Sequence, residues 1–258
     1  MGSFADFETD FMAFALSAAI VAAYYGFLNM KVRANPTYTI HGVNALARSL
    51  WVEHIMRNAS KDVMAVQTMR NFIMGSSLMA STAALLIIGT LTLSGQAENI
   101  SQSWHVLSLK GSFATEGSFA TELWIVKVMF LLLDFIVAFF AFAMSVRLAN
   151  HVVFMVNVPE HDAHHNLSPK AVARRLHRAG NMFAIGMRAF FFAVPLVFWL
   201  FGPYFLLISS IGLVVALYHL DRCEPEEALE TDIQPAVPAQ ALQAVTPQVV
   251  SMQAKYAK

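Results

Sequence analysis

The sequence predicts an all-α protein: a polytopic bundle of about five transmembrane helices, with one further amphipathic helix outside the bilayer. Hydrophobic residues make up 57% of the 258 residues and charged residues only 13%, whereas soluble domains average about 45–50% and about 25%. Five stretches also approach the roughly 20 apolar residues that a helix needs to cross a hydrocarbon core of about 30 Å. These observations exclude a soluble globular domain and a disordered chain, and they make the lipid bilayer the first expected partner.

The first two predicted spans carry no charged side chains. The first, 11–30, follows an acidic segment that ends at Asp10, which is unlike the basic start of a cleaved signal peptide. The second, 72–94, is rich in small and hydroxyl residues. Because small residues let helix backbones approach closely in lipid, we expect this span to pack at the centre of the bundle.

The third predicted span, 123–145, contains two charged residues, Lys127 and Asp134. The residues that follow it, 146–158, remain apolar. We therefore expect the third helix to continue beyond the membrane.

The last two spans come from one hydrophobic stretch, 183–220, that is too long for a single crossing. A helix of that length would measure roughly 55 Å, well over the bilayer thickness. The Gly202-Pro203 pair is the expected turn. It divides the stretch into a fourth span, 181–201, and a fifth, 204–220, in a tight hairpin. A re-entrant pair that never crosses the membrane is the alternative.

Lysine and arginine residues are unevenly distributed among the loops. Segment 31–70 contains six of them and segment 147–180 contains five, whereas segment 95–122 contains one. Because cytoplasmic loops are enriched in basic residues, we predict an inner (cytoplasmic) membrane protein with both basic segments in the cytoplasm. The amino terminus then lies outside and the carboxyl terminus inside, which requires an odd number of spans and agrees with five.

Residues 40–55 are predicted to form the cytoplasmic amphipathic helix. Apolar residues including Val43, Leu46 and Leu50 share one side at helical spacing, and Arg48 lies opposite. The pattern favours a helix that lies on the membrane surface or against the bundle. A partner-binding helix is the alternative.

The carboxyl-terminal segment, 223–258, is acidic at first and then rich in Pro, Ala, Gln and Val. It has no periodicity from which a core could be built, so we expect a flexible cytoplasmic tail. Residues 1–222 are then the transmembrane helical domain. Cys223 is the single cysteine, which excludes an intrachain disulfide.

Composition and motifs also limit the function classes. The 17 basic and 17 acidic residues balance, so bulk charge predicts no nucleic-acid partner. Walker A, G-x-G-x-x-G, G-x-S-x-G, CxxC and CxxCH motifs are all absent from the sequence. The sequence thus favours a non-enzymatic protein without a cofactor, although it leaves both points undecided.

Three ionisable residues lie within the predicted spans: Lys127, Asp134 and Arg188. Such residues are costly in lipid and therefore mark candidate functional sites. Lys127 and Asp134 are two helical turns apart, and Arg188 has the length to reach toward Asp134 from an antiparallel fourth span. They are interpreted either as a proton or ion relay, with an anion site around Lys127, or as a buried charge pair that locks two helices. The second is favoured, because relays usually contain several acids in series.

The densest histidine cluster is His161, His164 and His165. An i, i+4 pair is a common metal-ligand spacing. However, Pro159 and Pro169 flank the cluster and indicate a loop. A metal site is therefore a weak candidate here, and a solvated histidine-rich loop is the alternative.

Several short motifs lie along the chain from the predicted amphipathic helix to the last span. They include Asn44-Ala-Leu-Ala-Arg48, Ala65-Val-Gln-Thr-Met-Arg-Asn71, Asn157-Val-Pro159, Gly186-Met-Arg-Ala-Phe190 and Phe201-Gly-Pro203. Taken together, these motifs resemble those of the uncharacterised membrane family known as domain of unknown function 599. The resemblance implies a multi-span helical membrane protein and brings no activity with it. Lys127 and Arg188 match the family pattern, whereas Asp134 and the three clustered histidines do not.

The sequence therefore predicts a non-enzymatic structural or accessory component of a membrane assembly, either a homo-oligomer or part of a larger complex. One alternative is a small-solute or ion translocator that uses Lys127 and Arg188. The other is a metal-binding accessory subunit that uses the loop 161–165.

Overall fold

The computed structural model describes residues 2–35, 38–95, 118–158 and 167–222, and within these ranges the chain is almost entirely helical. All the helices except α2 are long and apolar enough to cross a membrane. Each predicted span lies inside one of these five helices, so the all-α fold and the five spans are confirmed for the described residues. The helices are α1 (Gly2–Ala34), α2 (Ile40–Met56), α3 (Asp62–Ser94), α4 (Ser118–Val156), α5 (Pro169–Phe201) and α6 (Pro203–Asp221).

The tight turn between α5 and α6 is at the predicted position. Helix α5 ends at Phe201, and α6 begins at Pro203. Gly202 has a φ of 148°, a conformation that residues with a side chain rarely adopt. Proline suits the first turn of a helix because it lacks the N–H that would have no partner there. The glycine therefore permits the reversal, and the proline starts the next helix.

Helix α4 lies at the centre and packs antiparallel to α3 and α5. At one end of α4, Val152 packs with Val172 of α5. At its other end, Val128 packs with Leu200 of α5. Helices α1 and α6 pair in parallel, since Ser17 bonds Ser210 and Tyr24 bonds Asp221 further along both helices. The bundle is thus organised around α4.

The second predicted span corresponds to α3, and α3 does not occupy the centre of the bundle as we expected. Only 11% of its most apolar stretch is buried, against 39% for α4. Ser76 and Ala83 face α4 and are fully buried. Gly75 and Gly89 instead face away from the bundle, where nothing lies within 4 Å of their Cβ positions. The small residues of α3 thus line an outward face as well as the α4 contact.

The packing brings both basic segments to one end of the bundle. This end, called the basic end below, contains the starts of α3 and α5 and the end of α4, which meet in one apolar cluster. The opposite end contains the start of α4 and the α5–α6 turn. The compartment that each end faces remains a prediction from the loop charges.

Helix α2 packs against the bundle at the basic end. Val52 and Ile55 are fully buried among residues of α3, α4 and α5. Leu46 and Leu50, on the predicted apolar side, are instead exposed. Arg48, predicted to lie on the outer side, faces Gly180 of α5. The phase of α2 differs from the prediction because apolar side chains at a membrane surface gain as much from lipid as from a protein core.

Gly186 provides a test of the α4–α5 packing. A Cβ at this position would lie 2.7 Å from ring atoms of Phe142, which is fully buried and packed between Phe183 and Phe190. We expect Gly186→Ala to lower the free energy of unfolding by about 1–3 kcal/mol through overpacking.

Gly212→Ala is the matched control, since nothing lies within 4 Å of the Cβ position of Gly212. Alanine there should raise helix stability by up to about 1 kcal/mol. Reversible unfolding in mixed micelles measures both variants, and equal effects at the two positions would contradict the close packing.

Candidate functional site

Lys127 forms a buried ion pair with Asp10 of α1. Its Nζ lies 3.0 Å from Oδ1 of Asp10, and the two residues are only 3% and 4% exposed. Asp10 comes just before the predicted first span, so the sequence analysis did not count it among the intramembrane charges. The pair joins α1 to the central helix α4 at the opposite end of the bundle.

Trp199 of α5 completes this site, which we call the ion-pair cluster (Asp10, Lys127 and Trp199). Its Nε1–H donates a hydrogen bond of 3.1 Å to Oδ1 of Asp10. The ammonium of Lys127 lies 5.4 Å from the centre of the indole ring. Phe14 stacks on the same ring at 4.8 Å. The carboxylate thus receives two donors, and the cluster joins α1, α4 and α5.

The structure does not bring the three predicted intramembrane charges together. Asp134 lies on α4, and its Oδ2 is buried without a hydrogen-bond partner among the described residues. The guanidinium of Arg188 lies 5.4 Å from the ring centre of Tyr25. Lys127 and Arg188 therefore belong to two separate polar clusters, and Asp134 belongs to neither.

The second cluster lies at the basic end, where α2 meets α5. The rings of His41 and His177 are 6.0 Å apart. Nδ2 of Asn181 lies 3.3 Å from Nε2 of His177. Arg188 follows on the same helix. We call this the arginine–histidine cluster, and its members are Tyr25, His41, Arg48, His177, Asn181 and Arg188.

The guanidinium of Arg48 lies against Gly180 of α5. A Cβ on Gly180 would lie 2.6 Å from Nη1 of Arg48, so only glycine leaves space for the guanidinium at this contact. Burial lowers the pKa of Arg48 below its usual value. Burial also lowers the pKa of His41, and the nearby charges of Arg188 and Arg48 and the ring of His177 lower it further.

The weak metal candidates His161, His164 and His165 lie outside the described residues. Within the residues that the structure does describe, no group of three His, Cys, Asp or Glu side chains is placed to hold a metal ion. The proposed tail, 223–258, also lies outside them.

Asp10, Trp199 and Arg48 belong to the two clusters but were not predicted from the sequence as site residues. A signal was present for Asp10, because it is the last acidic residue before an uncharged span and a lone Lys127 requires a counter-ion. For Arg48 the only signal was Gly180, whose small size suits the approach of a long side chain.

Most of the chain matches the profile of one known family. The profile described as "Protein of unknown function, DUF599" matches residues 12–226. The chain belongs to this family. The match includes Lys127, Trp199 and the whole arginine–histidine cluster, whereas Asp10 lies just before it. No curated protein and no solved structure matches this DUF599 chain, and the family description names no activity.

The hydrogen bond from Trp199 to Asp10 can be tested with a conservative change. Trp199→Phe keeps a ring for Phe14 to stack on but removes the N–H donor. We expect it to lower the free energy of unfolding by about 1–3 kcal/mol, because a buried carboxylate loses a donor.

Trp124→Phe is the matched control, since Nε1 of Trp124 is buried without a hydrogen-bond partner among the described residues. Trp124→Phe loses buried packing as Trp199→Phe does but breaks no hydrogen bond to a charged group, so it should cost less than Trp199→Phe. Unfolding curves in mixed micelles decide the point, and a larger loss at Trp124 than at Trp199 would refute the assignment.

Proposed function

We propose that this DUF599 protein is a non-enzymatic structural or accessory component of a membrane assembly, and that α3 is the helix through which it associates. The single observation that supports this proposal is the outward face of α3. This α3 face consists of Gly75, Leu78, Thr82, Leu85 and Gly89. Leu78 and Leu85 are 62% and 69% exposed.

The spacing of the α3 face suits another transmembrane helix. Gly75, Thr82 and Gly89 recur every seven residues, so they follow one another along one side of the helix. Nothing lies within 4 Å of the Cβ positions of either glycine. Small residues allow two helix backbones to approach closely, which is the main source of helix–helix attraction in lipid.

The ion-pair cluster also supports a structural role. Lys127 and Asp10 neutralise each other and are enclosed by Trp199. The pairing and burial of Lys127 favour this role over a translocator, which requires a hydrated path. The metal-binding alternative depends on residues 161–165, which lie outside the described residues, so no observation favours it.

The association can be tested by placing large side chains at the two glycines of the α3 face. In the double variant Gly75→Leu/Gly89→Leu, the added side chains meet no atom of the monomer and should leave its fold intact. They would hold a neighbouring helix away. We expect the fraction of protein in a larger complex to fall at least tenfold, as measured by native mass spectrometry after gentle extraction from the source membrane.

The control is Gly26→Leu/Gly212→Leu, because these glycines are equally open but lie on α1 and α6. This variant should keep the complex at the wild-type level. A monomeric wild type, or equal losses in both double variants, would contradict the proposal.

A further inference from the structure

We propose that the arginine–histidine cluster is a binding site for a phosphate group, held between α2 and α5 at the basic end. This inference is independent of the α3 face and concerns a different part of the molecule. It rests on unpartnered hydrogen-bonding atoms, on uncompensated charge and on the shape of the surrounding surface.

Unpartnered polar atoms are concentrated in this cluster. Seven buried side-chain atoms lack a hydrogen-bond partner among the described residues, and five of them belong here. Buried polar groups in native proteins are nearly always paired, so such a concentration indicates that water or a ligand binds here. The five atoms are Nε and Nη2 of Arg48, Nδ1 of His177, Oδ1 of Asn181 and the hydroxyl of Tyr25.

The charge of the cluster is also uncompensated. Among the described residues, neither Arg48 nor Arg188 forms an ion pair with a carboxylate. The carboxylate of Asp221 lies near enough to act electrostatically on Tyr25, but it accepts a hydrogen bond from Tyr24 and forms no ion pair with Arg188. Ordered water would satisfy the hydrogen bonds of the cluster but would leave two partly buried positive charges without a counter-ion, which is costly. An anion satisfies both requirements.

The donors suit the oxygens of a phosphate group. Nε and Nη2 of Arg48 are neighbouring donors of one planar guanidinium, the arrangement that binds two oxygens of an oxyanion at once. His177 and Arg188 lie near the same residue, His41, as Arg48 does. Their donors would add to those of Arg48, which suits the several oxygens of phosphate better than the two of a carboxylate.

The surroundings would attract an anion to this position. A groove of about 880 Å³ runs between α2 and α5, and His177 lines it as well as belonging to the cluster. Lys170 and Arg174 also line this groove, together with Arg57 and Glu53, which form an ion pair with each other. A cleft with an excess of one charge raises the local concentration of the opposite ion. The amino end of α2, beside His41, adds partial positive charge.

Two sources could supply the phosphate group: a free phosphate ion and the headgroup of an anionic lipid. The experiment therefore has two arms. In the first, the protein in phosphatidylcholine nanodiscs is titrated with inorganic phosphate by calorimetry. In the second, native mass spectrometry counts the phosphatidate retained by protein from nanodiscs of phosphatidylcholine with phosphatidate. Binding in the first arm identifies a free ion and binding only in the second identifies a headgroup, and either result supports the site.

Variants show whether the binding occurs at the cluster. Arg48→Gln and Arg188→Gln should each weaken binding at least tenfold. Gly180→Ala keeps every charge but displaces the guanidinium of Arg48, so it should also weaken binding. Arg147→Gln removes an exposed arginine of α4 at the same end and should change affinity by less than twofold.

Thermal unfolding without phosphate separates binding from folding. If Arg48 awaits an anion, Arg48→Gln removes an uncompensated charge and should leave the midpoint unchanged or raise it, while abolishing the upward shift that phosphate produces in the wild type. A lower midpoint in phosphate-free buffer would indicate a structural role and overturn the proposal. Absence of binding in both arms, or equal weakening by Arg147→Gln, would also overturn it.

Discussion

The ion pair between Asp10 and Lys127 is the buried polar interaction that holds α1 against the central helix α4. A single charge in the hydrocarbon region is expensive, so each residue is tolerated there because the other lies 3.0 Å away. Trp199 donates a further hydrogen bond to the same carboxylate oxygen. Helix α1 packs mainly on α6, at the edge of the bundle. The ion pair and the contact between the rings of Phe14 and Phe130, whose centres are 5.0 Å apart, connect α1 directly to the central helix α4.

The charged side chains are paired at one end of the bundle, whereas the two arginines at the other end form no ion pair. At the end that holds Lys127, the charge is neutralised and enclosed, as expected for a contact that stabilises a fold. At the basic end, Arg48 and Arg188 form no ion pair with a described carboxylate, and several buried polar atoms have no partner among the described residues. A fold stabilised at one end can hold such an unsatisfied cluster at the other, where a ligand would complete it. Structural role and ligand binding are thus compatible in one bundle.

The sequence predicted the helices well and the site poorly, for physical reasons. A span depends on the apolarity of one continuous segment, so its limits and the turn at Gly202 could be read locally. The partners Asp10 and Trp199 are 189 positions apart, and no local pattern connects them. The inward side of α2 could not be predicted either, because apolar residues at a membrane are as stable in lipid as in a core. The prediction consequently placed Arg48 on the outer side of α2. It also placed α3, instead of α4, at the centre of the bundle.

A double-mutant cycle on Asp10 and Lys127 tests the central claim most directly. Asp10→Asn and Lys127→Met are compared singly and together by the free energy of unfolding in phosphatidylcholine bicelles. Each single change leaves an unpaired buried charge and should cost about 3–5 kcal/mol. The double variant should lose less than either single variant, which gives a coupling energy of roughly 3 kcal/mol or more. Additive losses, with a coupling near zero, would show that the two side chains do not hold α1 against α4.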